Sequence, residues 1–375
     1  MPTSSGTTAS PHTVPAGETV YSPAELRLLI DQVPRVPLAH LPTPLEFLPR
    51  FSQAVGGPPI YIKRDDCTGL ACGGNKTRHN EFVFGDARQK QADQFVWGAG
   101  IQSNNCRQTA AACAKLGIPC HLMLGRGGPA PASPAPGGPT TGPEEYQGNL
   151  LLDHLVGAKI EIVEESLGPA LDARLAQQAE RYRAQGRRPY FYDPPVVKPL
   201  AALSYVLCLV ELAEQFAQQQ IRPAAIYVCS AGATGAGAVL GRKLLGLPAA
   251  IRNVAALQWP YDTQSDMAEI ATAAARLLRL PTTLDRDEID VRFDQIAPGY
   301  GNSSEASLEA IQLLARTEGI LLDPVYTSKA MAGLIADVRQ GHWAADRPVV
   351  LIHTGGTPAI FSEHTVLSTR IPPVE

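Results

Sequence analysis

A lysine set directly behind two glycines and an asparagine, in "LACGGNKTRHNEF" at residues 70–82, is the first residue placed where it could do chemistry. Lys76 reads either as a solvated lysine at the start of a helix or as an amine held in place to form a bond. Four other stretches bear on the choice. In "CSAGATGAGAVLG" a run of small and β-branched residues ends at Cys229–Ser230, and Gly232, Gly235 and Gly237 open a helix. Such a turn can aim several backbone N–H groups at one anion, with the helix N-terminus adding a favourable dipole. Its spacing, GxxGxG, is neither a Walker loop nor a dinucleotide fingerprint, so alone it reads as a phosphate cradle or as a tight strand-to-helix turn. In "GIQSNNCRQTAAACAKLG", Ser103 and Asn104 stand between a strand end and a helix start, as a carboxylate site or as a plain N-cap. Tyr326 precedes a helix in "LLDPVYTSKAMAGLI", and Thr354 ends a strand ahead of a Gly-Gly turn in "LIHTGGTPAIF".

The elements that must position these residues follow an α/β rhythm. "SPAELRLLIDQVP" predicts a helix with Ser22 as N-cap, Pro23 at the first helical position and Glu25 closing a capping box. "IYIKRDD" alternates as a strand and "NKTRHNEFVFGDARQKQ" as a helix. From residue 90 to 192 strands and helices alternate ("QFVWGAG", "SNNCRQTAAACAKLG", "CHLMLG", "NLLLDHLVGA", "KIEIV", "LGPALDARLAQQAERYRAQG"), which suggests a parallel sheet with crossovers. The rhythm resumes with "YVLCLVELAEQFAQQQ", "AAIYVCS", "GAGAVLGRKLLG" and "NVAALQW". Long helices near 264–278 and 303–317 follow, and "PVVLIHTGG" is a closing strand. Two α/β domains are expected, each with a mainly parallel sheet flanked by helices. Residues 20–75 and 196–375 would form the larger, 76–195 the smaller, and 1–19 a flexible tail. The Pro/Gly-rich stretch 126–146 reads as a surface excursion or as an active-site lid. In an α/β sheet ligands gather at the carboxyl ends of strands, where all five stretches fall.

The 375 residues carry a formal charge of −4, with 45% hydrophobic and 18% charged residues. That balance gives no basic footprint for nucleic acid and no polybasic face for a membrane. No apolar run approaching a membrane span is read in the chain, and the N-terminus lacks the pattern of a signal peptide. Seven cysteines without a CxxC pair suggest a reducing, cytoplasmic setting, and no metal site is indicated.

A lysine, a phosphate cradle, a carboxylate loop and a terminal threonine share one economical explanation. Pyridoxal 5'-phosphate would be held by Lys76 as a Schiff base and by the glycines at its phosphate, while the Ser-Asn loop takes an amino-acid carboxylate. The motifs "IKRDDCTGL", "GGNKTR", "QSNNCRQTAA", "GNLLLDHLVGA", "GILLDPVYTSKAMAGLI" and "HTGG" occur in order over nearly the whole chain. With them the sequence resembles the D-cysteine desulfhydrase, cysteate sulfo-lyase and aminocyclopropane-carboxylate deaminase family, of the tryptophan-synthase-β-like fold type II group. The resemblance implies that Lys76, after Asn75, carries the cofactor and shuttles the α-proton, and that Asn104 meets the cofactor's 3′-oxygen. Gly232, Ala233, Thr234 and Gly235 would cradle the phosphate, and Thr354 would meet the pyridine nitrogen. Ser103 and Gln102 would face the substrate carboxylate, and Tyr326 and Tyr300 would line the substrate pocket. Thr327 stands where the ring-opening deaminases resemble "VYEGK", which argues against ring opening.

The departures from the family cluster. His79 and Asn80 replace the usual Lys-Leu of "GGNKTRKLEF", and Asn105 replaces a histidine. "YDPPVVKPLAALSYV" stands in place of a "GGSN…GALGYV" segment, and "GYGNSSE" in place of "GYGxPTE". Asn105 and His79 are therefore taken as substrate-side positions, with His79 open between an acid–base or substrate contact and a surface histidine. The expected activity is elimination of a sulfur group from the β-carbon of a cysteine-like or sulfonated (cysteate-like) amino acid by a homodimer. β-Replacement or decarboxylation on a related substrate is the alternative within enzymes, and a PLP-binding protein without turnover the alternative outside them.

Overall fold

The computed structural model describes residues 19–127 and 146–368. The expected tail, all but its last residue, and the body of the 126–146 stretch lie outside the described residues. Among the described residues ten strands form two sheets. The larger takes β1 (Leu45–Phe47), β2 (Ile60–Lys63), β7 (Ala225–Cys229), β8 (Ala250–Val254), β9 (Val291–Arg292) and β10 (Val349–Ile352) in the order β1-β2-β10-β7-β8-β9. All its pairings are parallel except that of β1 with β2. The smaller is wholly parallel, with β3 (Gln94–Gly100), β4 (Cys120–Gly127), β5 (Lys159–Ser166) and β6 (Pro189–Phe191) in the order β5-β4-β3-β6. Strands such as "AIYVC" and "VVLI" are buried throughout because helices cover both faces of the larger sheet.

The first helix (Pro23–Ile30) has the Ser22 cap, the first-turn proline and the reciprocal Glu25 bond read from its sequence. The helix before β7 differs from expectation. It begins at Pro194 rather than near Tyr205 and runs 26 residues to Gln219. Two prolines occupy its first turn, where the missing N–H costs nothing, and Pro199 is carried inside the helix. It is also long and apolar enough to cross a membrane, contrary to the sequence reading, yet 83% of its apolar window is buried in protein. Leu203, Val206, Leu209 and Val210 along it are inaccessible to solvent. Burying each is worth about 1.5–3 kcal/mol relative to exposure. The same core holds Phe95 and Trp97 of the smaller sheet and Ile226 and Ile352 of the larger, with Phe82 and Phe84 of the Lys76 helix between them. One packed core thus fixes the strand ends of both sheets relative to Lys76.

Candidate active site

Lys76 lies in the first turn of helix Asn75–Gln89, behind Gly73 and Gly74, both at positive φ. A side chain at Gly74 would meet the Gln108 amide at 2.8 Å and the Thr354 carbonyl at 3.2 Å. Glycine therefore lets this loop reach the end of β10, where the Asn75 N–H donates to the Thr354 carbonyl (2.9 Å). From the other side, Gln108 Oε1 accepts from the Thr77 N–H (2.6 Å) and hydroxyl (2.8 Å). Beneath the turn lies a buried ionic network. Arg78 donates to Asp65 and to Glu211, and Lys63 Nζ donates to Glu211 at 2.8 Å. Lys76 is thus held on three sides by neighbours that do not touch its amine.

A cavity of about 260 Å³ opens over Lys76 at the carboxyl ends of β7, β10 and β3. Lys76, Ser103, Asn104, Asn105, Gly232, Ala233, Thr234, Tyr326 and Thr354 line it, with Asn75 and His79. Burial lowers the Lys76 ammonium to about 8, countered in part by Cys229. Charge is expensive there, so the neutral, nucleophilic amine is accessible near neutral pH.

The cradle is the N-terminus of helix Ala233–Leu244. Gly232, its N-cap, has no side-chain cap, and a Cβ built on it would meet nothing within 4 Å. Ser230 Oγ accepts from the Gly235 N–H (2.8 Å), leaving the first-turn N–H groups of Ala233 and Thr234 for an anion. At Gly235 a Cβ would fall 2.0 Å from Asn253 Oδ1, so only glycine permits this approach to β8. The Thr234 hydroxyl accepts from Asn75 Nδ2 (3.0 Å) and shares a 3.0 Å hydrogen bond with His79 Nε2.

His79 is 5% exposed, which corrects its reading as a surface histidine. Burial, then the Lys76 and Arg78 charges, push its pKa well below that of free histidine, so it is neutral. Taken from the sequence as a substrate-side residue, it lines the cavity and is bonded to the cradle threonine.

Ser103 is the N-cap of helix Asn104–Leu116, accepting from the Asn105 and Cys106 N–H groups at 3.1 Å each. It lines the cavity as well, so the N-cap and the cavity-facing roles coincide. Asn104 Oδ1 accepts from Arg107 (3.0 Å) and from Asn149 Nδ2 (3.1 Å), which leaves its own Nδ2 as a donor. Arg107 also donates to the Gly73 carbonyl (2.7 Å) and so ties the Ser-Asn loop to the Lys76 loop. Gln102 is not among the lining residues. Its amide is committed to the Gln147 carbonyl (3.1 Å) and the Asn149 N–H (2.8 Å). Tyr326 lines the cavity and Tyr300 stands behind it, the two hydroxyls hydrogen bonded. Burial raises the pKa of both, so both are neutral phenols. Thr327 is buried and its hydroxyl donates to Asp323 (2.6 Å), away from the cavity.

Arg107, Asn149 and Ser230 were not singled out from the sequence. Two of them lie inside the motifs "QSNNCRQ" and "GNLLLDHL", and Ser230 begins the glycine run. Trp97, Trp259 and Tyr261 also line the cavity with no local motif to mark them, as do Tyr192 and Lys198 of the divergent "YDPPVVKP" segment.

The residues present fit pyridoxal phosphate. The cradle offers uncapped N–H donors and open space to a phosphate, Lys76 offers an amine to an aldehyde, and among the described residues no aspartate or glutamate lines the cavity to repel the anion. Comparison with known proteins agrees. Residues 36–355 match the family model "Pyridoxal-phosphate dependent enzyme". The chain is 39% identical over 335 residues to a D-cysteine desulfhydrase of Salmonella choleraesuis (strain SC-B67), covering 89% of this chain and 98% of that protein. A solved structure of an ACC deaminase homologue superposes with a TM-score of 0.81 at 30% identity, over 92% of this chain and 99% of the other. A fungal L-serine ammonia-lyase from Rhizomucor miehei shares the fold at 15% identity, with a TM-score of 0.59 and coverage of 88% and 98%. The chain belongs to the pyridoxal-phosphate dependent enzymes, and pyridoxal phosphate is its cofactor.

Proposed function

We propose that the protein is a carbon–sulfur lyase that removes a sulfur group from the β-carbon of a cysteine-like or sulfonated amino acid. The observation that carries this reading is the Lys76 amine, lowered to about 8, set between the uncapped cradle helix and the Ser103–Asn104 loop. The kinship with D-cysteine desulfhydrases supports sulfur as the leaving atom. The bound cofactor supplies an electron sink for the pair left behind when the α-proton departs.

The chain's own residues do the rest. Lys76 Nζ, a base matched to neutral pH, takes the α-proton. The Ser103 hydroxyl holds the carboxylate at a helix N-terminus, and the free Asn104 Nδ2 would meet the cofactor's 3′-oxygen. Thr234, oriented by Asn75 and His79, holds the phosphate end. The Tyr326–Tyr300 pair, kept neutral, offers a phenolic hydrogen bond to the cavity that Tyr326 lines. Elimination followed by hydrolysis gives pyruvate, ammonium and sulfide, or sulfite from a sulfonate. The division into residues 20–75 with 196–375 and 76–195 belongs to this reading, as does a cytoplasmic setting, supported by seven free cysteines. A homodimer is supported by the exposed Leu151, Leu155 and Phe361 on two packed helices.

The test is incubation of the holoenzyme with D-cysteine, L-cysteine and cysteate, assaying sulfide, sulfite, pyruvate and carbon dioxide. Pyruvate in step with sulfide or sulfite is the expected result. Carbon dioxide instead, or no product, overturns the reading.

A further inference from the structure

The cavity continues past the groups assigned above. Lys76, Asn80 and Val83 all line it from successive turns of one helix face. That wall is about 10 Å long, seven residues at about 1.5 Å each. With the cofactor's phosphate at the cradle, a cysteine side chain, which ends one atom beyond its β-carbon, does not span that wall.

Two of the lining residues carry a donor that lacks an acceptor. Asn80 and Trp97 are each 1% exposed, and Asn80 Nδ2 and Trp97 Nε1 are buried donors without a hydrogen-bond partner. Leaving such a donor unmade costs about 1–3 kcal/mol. Asn80 Oδ1 is occupied by the Thr109 hydroxyl (3.3 Å), so Nδ2 is its free end. Thr109 stands one turn past Asn105, which lines the cavity with no side-chain hydrogen bond among the described residues. Asn80 therefore sits toward the Ser103–Asn105 side, whereas its neighbour His79 reaches to the cradle. Among the described residues the charged groups lining the cavity are Lys76 and Lys198, the latter paired with Asp266 at 3.0 Å. His79, Asn80, Asn105 and Lys198, all places where the chain departs from the family pattern, meet in this one space.

We propose that the Asn80–Trp97 end is a subsite for an oxyanion at the tip of the substrate's sulfur substituent. The substrate class then extends from cysteine itself to a cysteine thioether ending in a carboxylate or sulfonate, which the subsite favours; this rests on the elimination reading above. In the reaction the Cα–H and Cβ–S bonds break, and the sulfur leaves with a proton as R–SH. Water then converts the remaining three-carbon unit to pyruvate and ammonium, with no net oxidation or reduction.

Two measurements on the holoenzyme test this. The first compares thiol and pyruvate release from S-carboxymethyl-, S-sulfomethyl- and S-ethylcysteine, which separates the two oxyanions from an apolar tip. The second measures Kd by cofactor absorption for 2-aminoadipate and norleucine, analogues in which methylene replaces sulfur and nothing can be eliminated. Preference for the anionic member of each pair by about tenfold is expected, as is its loss in Asn80→Leu and Trp97→Phe. Equal binding of norleucine and 2-aminoadipate, or a preference that survives both substitutions, overturns the subsite. A binding preference without release of any thiol would keep the subsite and overturn the lyase reading.

Discussion

Arg78 donates through Nε and Nη2 to the two oxygens of Asp65, at 2.9 Å each, and neither residue reaches solvent. The same guanidinium donates to both oxygens of Glu211 at 2.8 Å, and Tyr205 donates to Asp65 at 2.7 Å. With Lys63 the network holds two cations and two carboxylates, so it is neutral as a unit. It joins β2, the loop after it, the Lys76 helix and the long central helix at one point.

Breaking this network leaves a buried charge without its partner. Arg78→Met should cost about 3–5 kcal/mol of stability. Burial alone would raise the pKa of Asp65, but the Arg78 and Lys63 charges outweigh it, and the net direction is down; Glu211 behaves alike. Depressed carboxylates contribute stability above their unfolded pKa, about 4, and lose it as pH falls through the folded values. Denaturant midpoints should therefore fall steeply below about pH 4 in the native protein and more shallowly in Arg78→Met. Parallel pH curves for the two proteins would refute the assignment.

Gly235→Ala should damage the cradle more than a surface glycine change could. Its Cβ would meet Asn253 Oδ1 at 2.0 Å and Met267 Cε at 2.7 Å, so β8 or the helix must shift. Overpacking of this kind costs about 1–3 kcal/mol. The check is a pair of readings, thermal stability of the apoprotein and affinity for pyridoxal phosphate. Both should fall, whereas Gly117→Ala, where a Cβ meets nothing but φ is +69°, should lower stability alone.

The fold was legible where local rules coincide. The Ser22 capping box, the β-branched strands and the glycine-opened helix each announce themselves within a few residues. The central helix was not, because Pro194, Pro195 and Pro199 look like a break and only burial among the surrounding helices overrides them. At the site, Lys76, Ser103, Asn104 and the cradle could be named because glycine and small polar residues mark strand ends. His79 could not be placed, since its burial depends on Tyr205 and Thr234, each more than a hundred residues away. Gln102 misled for a related reason. Its neighbour Ser103 faces the cavity, but its own amide is taken by the start of helix Gly148–Leu155.

The Lys76 amine should condense with cofactor at a rate set by its lowered pKa. Only the unprotonated amine attacks an aldehyde, so the rate in the apoenzyme should rise with pH and level off above about 8. The measurement is stopped-flow growth of visible absorption after mixing apoenzyme with pyridoxal phosphate. An inflection near 10, the ordinary lysine value, would show that burial does not act on this amine.

Thr354 tests the assignment at the pyridine nitrogen. Its carbonyl is fixed by the Asn75 N–H (2.9 Å), it is 7% exposed, and it lines the cavity. A hydroxyl placed at a ring nitrogen leaves that nitrogen largely unprotonated, whereas a carboxylate there would stabilise the protonated form. A neutral ring is the weaker electron sink, which favours a substrate whose β-group departs as the α-proton is removed. Thr354→Asp should therefore red-shift the absorption of the substrate-bound enzyme and lower turnover, with the cofactor still bound through Lys76 and the cradle. The decisive reading is the spectrum taken beside kcat on one sulfur amino acid. If Thr354→Asp changes neither, Thr354 is not the partner of the ring nitrogen. The preference for β-elimination over decarboxylation would then have to come from the substrate end of the cavity, at Asn80, Trp97 and Asn105.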